Sequence, residues 1–528
     1  MTQAIWQHVE DTSMLDQKGK MIFRTGTKQI LIIRQGDEIF AINNRCPHEG
    51  FPLSEGSMSK DCKLTCNWHN WKFDLKSGNT LVGGDKLRRY PLREDQDGLW
   101  LDVQDAPAEE QVEKSLENIQ ASFRRFEYAR MGRELARLKK AGGKFEQAAR
   151  FIIKKNYDRF EWGFNHAFAA MNDWFVLSGN MNEKDNAEGA LVAALETISH
   201  VAWDTLREEN YPFTDQVLPY SSDDFLQAVE AENENQAVAL IRGALQSGMN
   251  YADLEEDLVR AALSHYNDFG HSIIYVYKCG QLIKRLGDEM AEFLLLPLVR
   301  AVIYARREDL LPEFRQFSQK LSQWDGQGKE PVTSEDFIGL SVNKALDRVL
   351  QSSADIKGLY DALYGALCWN MAHFDLRRDQ ITDQAIAQNV GWLDFTHGLT
   401  MSNAIRKTCE RFPDLWPTAL LQLACFVGRN SGYVDKNLQN QEWIVADKEE
   451  FFSQQEMVLL DHGLPEPIIS CHRVKLLYAV MEDVRERPEA PWVNGALAAL
   501  NRFVNSPIKR KHSLRIATQA LQFVAREG

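Results

Sequence analysis

Cys46-Pro47-His48 and Cys66-Asn67-Trp68-His69 each offer one thiol and one imidazole, with seventeen residues between His48 and Cys66. These two stretches constrain the fold more than any other, because four ligands from two loops must meet at one point. Cysteine and histidine in pairs suit a cluster of two irons bridged by two sulfides, with both thiolates on one iron and both imidazoles on the other. Zinc sites use other orders and spacings. Around the loops the chain reads as short strands. Ile30-Leu31-Ile32-Ile33 and Ile39-Phe40-Ala41-Ile42 flank Gly36-Asp37, and Leu99-Trp100-Leu101 follows the turn signal Asp97-Gly98. A small antiparallel β domain is expected, with the ligands on its loops.

The flanking residues carry a family resemblance. Cys46-Pro47-His48-Glu49-Gly50 and Cys66-Asn67-Trp68-His69-Asn70-Trp71-Lys72-Phe73-Asp74, with Ser77-Gly78, closely resemble the cluster loops of Rieske ferredoxins and ring-hydroxylating oxygenases. The resemblance covers residues 1–105 and implies a Rieske-type 2Fe-2S cluster on Cys46, His48, Cys66 and His69. Respiratory-chain Rieske proteins also join their loops by a disulfide, and Phe51 and Trp68 stand where it would form. Without that bridge, the likeness is to the lower-potential ferredoxin and oxygenase type. Asn67 and Asn70 replace the Pro and Gly that oxygenases often carry, which predicts a differently seated second loop.

With 528 residues the chain exceeds one usual domain. Asp105-Ala106-Pro107 ends the strand pattern and helix follows from Glu109. The expected fold is therefore a small antiparallel all-β domain over residues 1–105, then a large all-α region over 106–528, with a break near Gly326 dividing it into two subdomains. The charged segment Glu109 to Lys140 reads as a solvated or subunit-contacting helix, compatible with a homo-oligomer. A net charge of -14 argues against nucleic-acid binding. No apolar run reaches membrane-span length, and Met1-Thr2-Gln3-Ala4-Ile5-Trp6 does not begin a leader. Six further cysteines are scattered singly, as in a reducing compartment, so a cytoplasmic protein is expected.

Helical wheels place polar groups inside the helical part. His265 and Asp268 share a stripe with Leu254, Leu258, Ala261 and Val276; Asn370 and His373 continue Leu359, Leu363 and Ala366; Asp394 and His397 fall with Ile386, Val390, Leu393 and Met401. Buried carboxylates and imidazoles are costly unless paired, and helical proteins use them to hold non-haem iron. His265, Asp268, His373, Asp394 and His397 are thus the candidate ligands of a second iron, with His265 and His397 as the catalytic candidates. Each histidine bonded to a neighbouring carboxylate is the simpler alternative. His271 ranks lower, and so does His200, whose face with Glu196 and Asp204 reads as solvated. His166 falls off its own stripe.

The two-histidine, one-carboxylate motif of conventional Rieske oxygenases is missing, because Asp268-x-x-His271 is followed at the required distance by Val276 and Asp394-x-x-His397 by Ser402. Phe164-Asn165-His166-Ala167 and Thr396-His397-Gly398-Leu399-Thr400 with Ala404-Ile405-Arg406 resemble segments of the questin oxidase-like proteins. That likeness implies oxygen insertion into a polycyclic aromatic ketone and points to His166 and His397. No nucleotide-binding glycine motif occurs, so an external reductase or ferredoxin must supply electrons. Lys509-Arg510-Lys511-His512 reads as a solvated helix start, or as a dock for such a partner. The reading is an oxidoreductase passing electrons from its cluster to a helical iron site that oxygenates a small apolar or aromatic molecule, with Trp369, Trp392 and Phe395 lining the pocket. Its rival is a Rieske-type electron carrier, or a redox-responsive interaction protein, whose helical part binds partners without metal.

Overall fold

Strand β3 (Lys28–Gln35) carries four consecutive buried apolar residues, Ile30 to Ile33, because both of its faces are covered. It is the middle of an antiparallel sheet with β2 (Lys20–Thr25) and β4 (Glu38–Asn43). Alternate residues point to opposite faces. Ile30, Ile32 and Ala41 meet Leu99 and Leu101 of β10 (Gly98–Asp102), which pairs with β1 (Trp6–Val9) and β9 (Leu92–Asp95). Leu31, Ile33, Phe40 and Ile42 meet Leu64, Phe73, Cys46 and Cys66 on the side of the ligand loops. There β5 (Ser57–Met58), β6 (Lys63–Thr65), β7 (Lys72–Asp74) and β8 (Thr80–Val82) form a four-stranded sheet. This computed structural model describes residues 4–527, and Met1 to Gln3, read above for a leader, lie outside them.

The chain divides into two compact units, Met1–Ala148 and Ala149–Gly528. Within the first, α1 (Ser13–Lys18) sits in the strand region, and the charged segment folds as two helices, α2 (Ala108–Phe123) and α3 (Tyr128–Lys140). Their apolar sides are buried at Ile119, Phe123, Met131, Leu135 and Leu138. The segment is not the single solvated helix its charge suggests. Several of its charges are internal, as Arg130 and Glu134 are buried too.

The second unit is helical throughout its regular structure, and the turn at Gly326 lies inside it. Several of its buried charges are matched. Lys278 Nζ lies 2.8 Å from Asp173, and Arg406 Nη2 lies 2.7 Å from Asp483, which also accepts from Tyr364 and Asn403. Paired in this way, such groups can be buried without the full desolvation cost. Among the described residues no helix is long and apolar enough to cross a membrane.

Candidate metal centres

The two ligand loops are built alike. In the first, Cys46 N–H donates to the Phe51 carbonyl at 2.8 Å and Gly50 N–H to the Cys46 carbonyl at 2.8 Å. In the second, Cys66 N–H donates to Trp71 at 2.8 Å and Asn70 N–H to Cys66 at 2.9 Å. Gly50 (φ +77°) and Asn70 (φ +58°) occupy the same left-handed turn position. Asparagine tolerates that region better than most residues, so Asn70 takes the turn position in the second loop that Gly50 takes in the first. Asn67 ties the loop down, accepting from Ser57 Oγ at 2.8 Å and donating to the Glu55 carbonyl at 2.9 Å.

Cys46 and Cys66 are buried, and the His48 and His69 rings stand 4.7 Å apart, edge to face. Burial pushes the Cys46 thiol up to about 11, and the adjacent Cys66 sulfur adds to the rise. Burial also lowers His48, keeping its imidazole neutral. The Nε2 atoms of both histidines face Glu49, at 3.7 and 3.6 Å. Where the bridging disulfide would lie, Phe51 and Trp68 stack at 4.1 Å with 13° between planes. Trp71 stacks on His48 at 4.6 Å, and a Cβ on Gly83 (φ +122°) would fall 2.3 Å from Trp71. Gly83→Ala is therefore expected to displace Trp71, destabilise the domain by roughly 1–3 kcal/mol and lower the iron retained on purification. Denaturant melts and iron assay check this.

In the helical unit, imidazoles from four helices converge. His166 opens helix His166–Glu183, His271 opens His271–Leu286, His397 lies in Leu393–Cys409 and His472 in Pro467–Glu486. His271 Nε2 is 3.1 Å from His166 Nε2, and His472 Nε2 is 3.0 Å from His397 Nε2. Ring nitrogens of His166, His271 and His397 all lie within 4.8 Å of one another. The opposite edges are anchored: His472 Nδ1 meets the Ile468 carbonyl at 2.6 Å, His271 Nδ1 meets the Asp268 carbonyl, and Tyr275 Oη lies 3.3 Å from His166 Nδ1. A neutral ring donating through Nδ1 to a carbonyl carries a lone pair on Nε2, and in that form the inward-facing nitrogens of His271 and His472 can bind a cation. Burial first, then Lys475 and the neighbouring imidazoles, holds His166 and His397 well below the usual histidine range; burial and Lys475 do the same for His472.

His271 is aimed by strained backbone. Asp268 (φ +41°), Phe269 (φ +53°) and Gly270 (φ +78°) are consecutive left-handed residues. For phenylalanine this is a genuine outlier, and such strain gathers at functional sites. It is held by Asp268 N–H to the Arg306 carbonyl at 2.9 Å and Phe269 N–H to Glu308 at 3.0 Å. Burial pushes the Asp268 carboxyl up, but His271 and Arg306 outweigh it and bring it down to about 2.

The predicted ligand set is thus only partly brought together. His397 is in the cluster, and Asp268 stands behind His271, 3.4 Å from its Nδ1. His265 instead faces Glu230 at 2.6 Å and Asp309 at 3.2 Å. His373 stacks on Trp369 and bonds its carbonyl, and Asp394 accepts from Gly391 N–H and pairs with Arg429. Trp392 and Phe395 pack on Phe374, while Tyr275 packs on His271 and Phe164 packs on Tyr275. Glu196 and His200 are buried and bonded at 2.5 Å, where a solvated face was expected. The helical wheels rank His166 and His271 low and do not single out His472.

A family profile described as Rieske [2Fe-2S] domain matches residues 5–89. The 3-phenylpropionate/cinnamic acid dioxygenase ferredoxin subunit of Escherichia coli (strain K12) is 33% identical over 79 residues, 15% of this chain and 74% of that subunit. This chain belongs to the Rieske family. A 4beta-methylsterol monooxygenase of Methylococcus capsulatus is 29% identical over 113 residues, 19% of this chain but only 30% of that protein. The ferredoxin of carbazole 1,9a-dioxygenase from Nocardioides aromaticivorans IC177 aligns at 24% identity and a TM-score of 0.16, over 17% of this chain and 92% of that ferredoxin.

The Rieske loops fit the cluster the family implies. His48 Nδ1 is buried without a hydrogen-bond partner, as a nitrogen reserved for iron would be. Its Nε2 and that of His69 face outward to Glu49, leaving both Nδ1 atoms as the metal-binding edges.

Proposed function

We propose that an external reductase or ferredoxin reduces the Rieske cluster, and that the electrons pass to a non-haem iron held by His166, His271 and His397, with His472 beside them. That iron would activate dioxygen to oxygenate a small apolar or aromatic substrate. The convergence of four imidazoles, three of them anchored at their opposite edges, in a chain that also carries a Rieske domain, supports this reading most. Within it, the Asp268 carbonyl and carboxylate hold the His271 ring in place, the Ile468 carbonyl holds His472, and Tyr275 positions a hydroxyl beside His166. Neutral imidazoles suit a divalent first-row metal, and iron when bound would supply the oxygen chemistry.

The likeness to ferredoxin subunits favours a second reading, an electron carrier with a metal-free helical part. Rapid mixing separates the two. Anaerobically reduced protein given ferrous iron should have its cluster reoxidised by dioxygen about tenfold faster or more than protein without added iron. Equal rates would favour the carrier.

A further inference from the structure

Behind the first Rieske loop lies a buried charge cluster that electron transfer alone does not explain. Gly83-Gly84-Asp85 leads into it. The absent side chain of Gly83 leaves room for Trp71, and a Cβ on Gly84 would lie 3.0 Å from the Arg130 guanidinium. Asp85, 1% exposed, meets three arginines on one face of α3. Arg130 Nε is 2.5 Å from its carboxylate, Arg133 Nη2 3.3 Å and Arg137 Nη1 3.5 Å. Spacings of three and four residues put all three on one side of the helix. Arg137 also binds the buried Glu134, and its Nη2 donates to the Pro47 carbonyl at 3.4 Å. Pro47 lies between the ligands Cys46 and His48.

We propose that Arg137 and Arg133 are positioning residues for the Rieske centre: α3 braces the first ligand loop through Pro47 and sets the reduction potential by placing guanidinium charge against it. Adding an electron makes the centre more negative, so a nearby positive charge favours the reduced state. Asp85 and Glu134 anchor the arginines and offset part of their charge. Removing one guanidinium therefore takes one positive charge from behind the loop and disfavours reduction. The appended helices are on this account part of the redox module and not a linker after it.

The test is the midpoint potential of the full chain with its cluster, from a titration followed by electron paramagnetic resonance. Arg137→Gln should make electron uptake about tenfold less favourable, equivalent to about 59 mV for one electron, while the spectrum keeps its shape. Arg133→Gln should shift the potential the same way, and Arg137→Lys, which keeps the charge, should stay near the parent. Arg24→Gln, an exposed change on β2, controls for bulk charge. A potential in Arg137→Gln that moves no further than in Arg24→Gln would overturn the proposal. Should Arg137→Gln lose the cluster, the Arg133→Gln and Arg137→Lys potentials decide, and Arg133→Gln at the parent value would overturn it equally.

Discussion

Replacing His271 by alanine is expected to remove iron from the helical unit and leave the Rieske cluster intact. The ring supplies one of three nitrogens within 4.8 Å of one another, and its orientation is built into three left-handed residues and the Asp268 carbonyl. Losing a second-layer partner of a metal ligand costs about 10–100-fold in affinity, and losing the ligand should cost at least that. His397→Ala should behave alike. His265→Ala and His373→Ala should retain the metal, since those rings are committed to Glu230 and Asp309, and to Trp369. Iron analysis and the dioxygen-driven reoxidation rate would report all four. A full complement of iron in both His271→Ala and His397→Ala would refute the assigned ligand set.

Cys66→Ser should abolish the Rieske centre, with loss of its visible absorption and its paramagnetic signal in the reduced protein. Cys66 is 2% exposed in the core formed by Leu64, Phe73 and Cys46, so the sulfur is both ligand and packing atom. A serine oxygen is a poor substitute for a soft thiolate and leaves a polar group in an apolar setting. The thermal transition of the β domain should fall as well, because a bound cluster stabilises the folded state by mass action. Retention of the helical iron alongside this loss would show two separate centres.

Much of this was legible in the sequence, unevenly. The four Rieske ligands follow from their types and spacing, and the strands around them from alternation and turns such as Gly36-Asp37. The helical centre was harder to read because a wheel assumes unbroken helix. The stripe through His265 and Asp268 crosses the end of a helix at Leu263 and the strained turn before His271, which resets the phase. The stripe tested for His166 likewise crosses the gap between Asn156 and His166, and Ile386 lies outside the helix that begins at Leu393. Hence periodicity ranks the converging His166 and His271 low and His265 high. Asn165 before His166, a cap that accepts from Ala167 and Phe168 N–H, was the local signal of a helix start. The segment resemblance points to His166 and His397, both of which lie in the imidazole cluster. The buried face of α3 was hidden because its charges answer Asp85, some fifty positions away in a different element.

The most direct test of the two-centre account is iron and acid-labile sulfide per chain, measured on protein purified without oxygen and then given ferrous iron and desalted. The Rieske cluster alone fixes iron equal to sulfide. The account predicts iron in excess of sulfide by about one per chain, an excess that disappears in His271→Ala. Iron equal to sulfide after ferrous loading would contradict it.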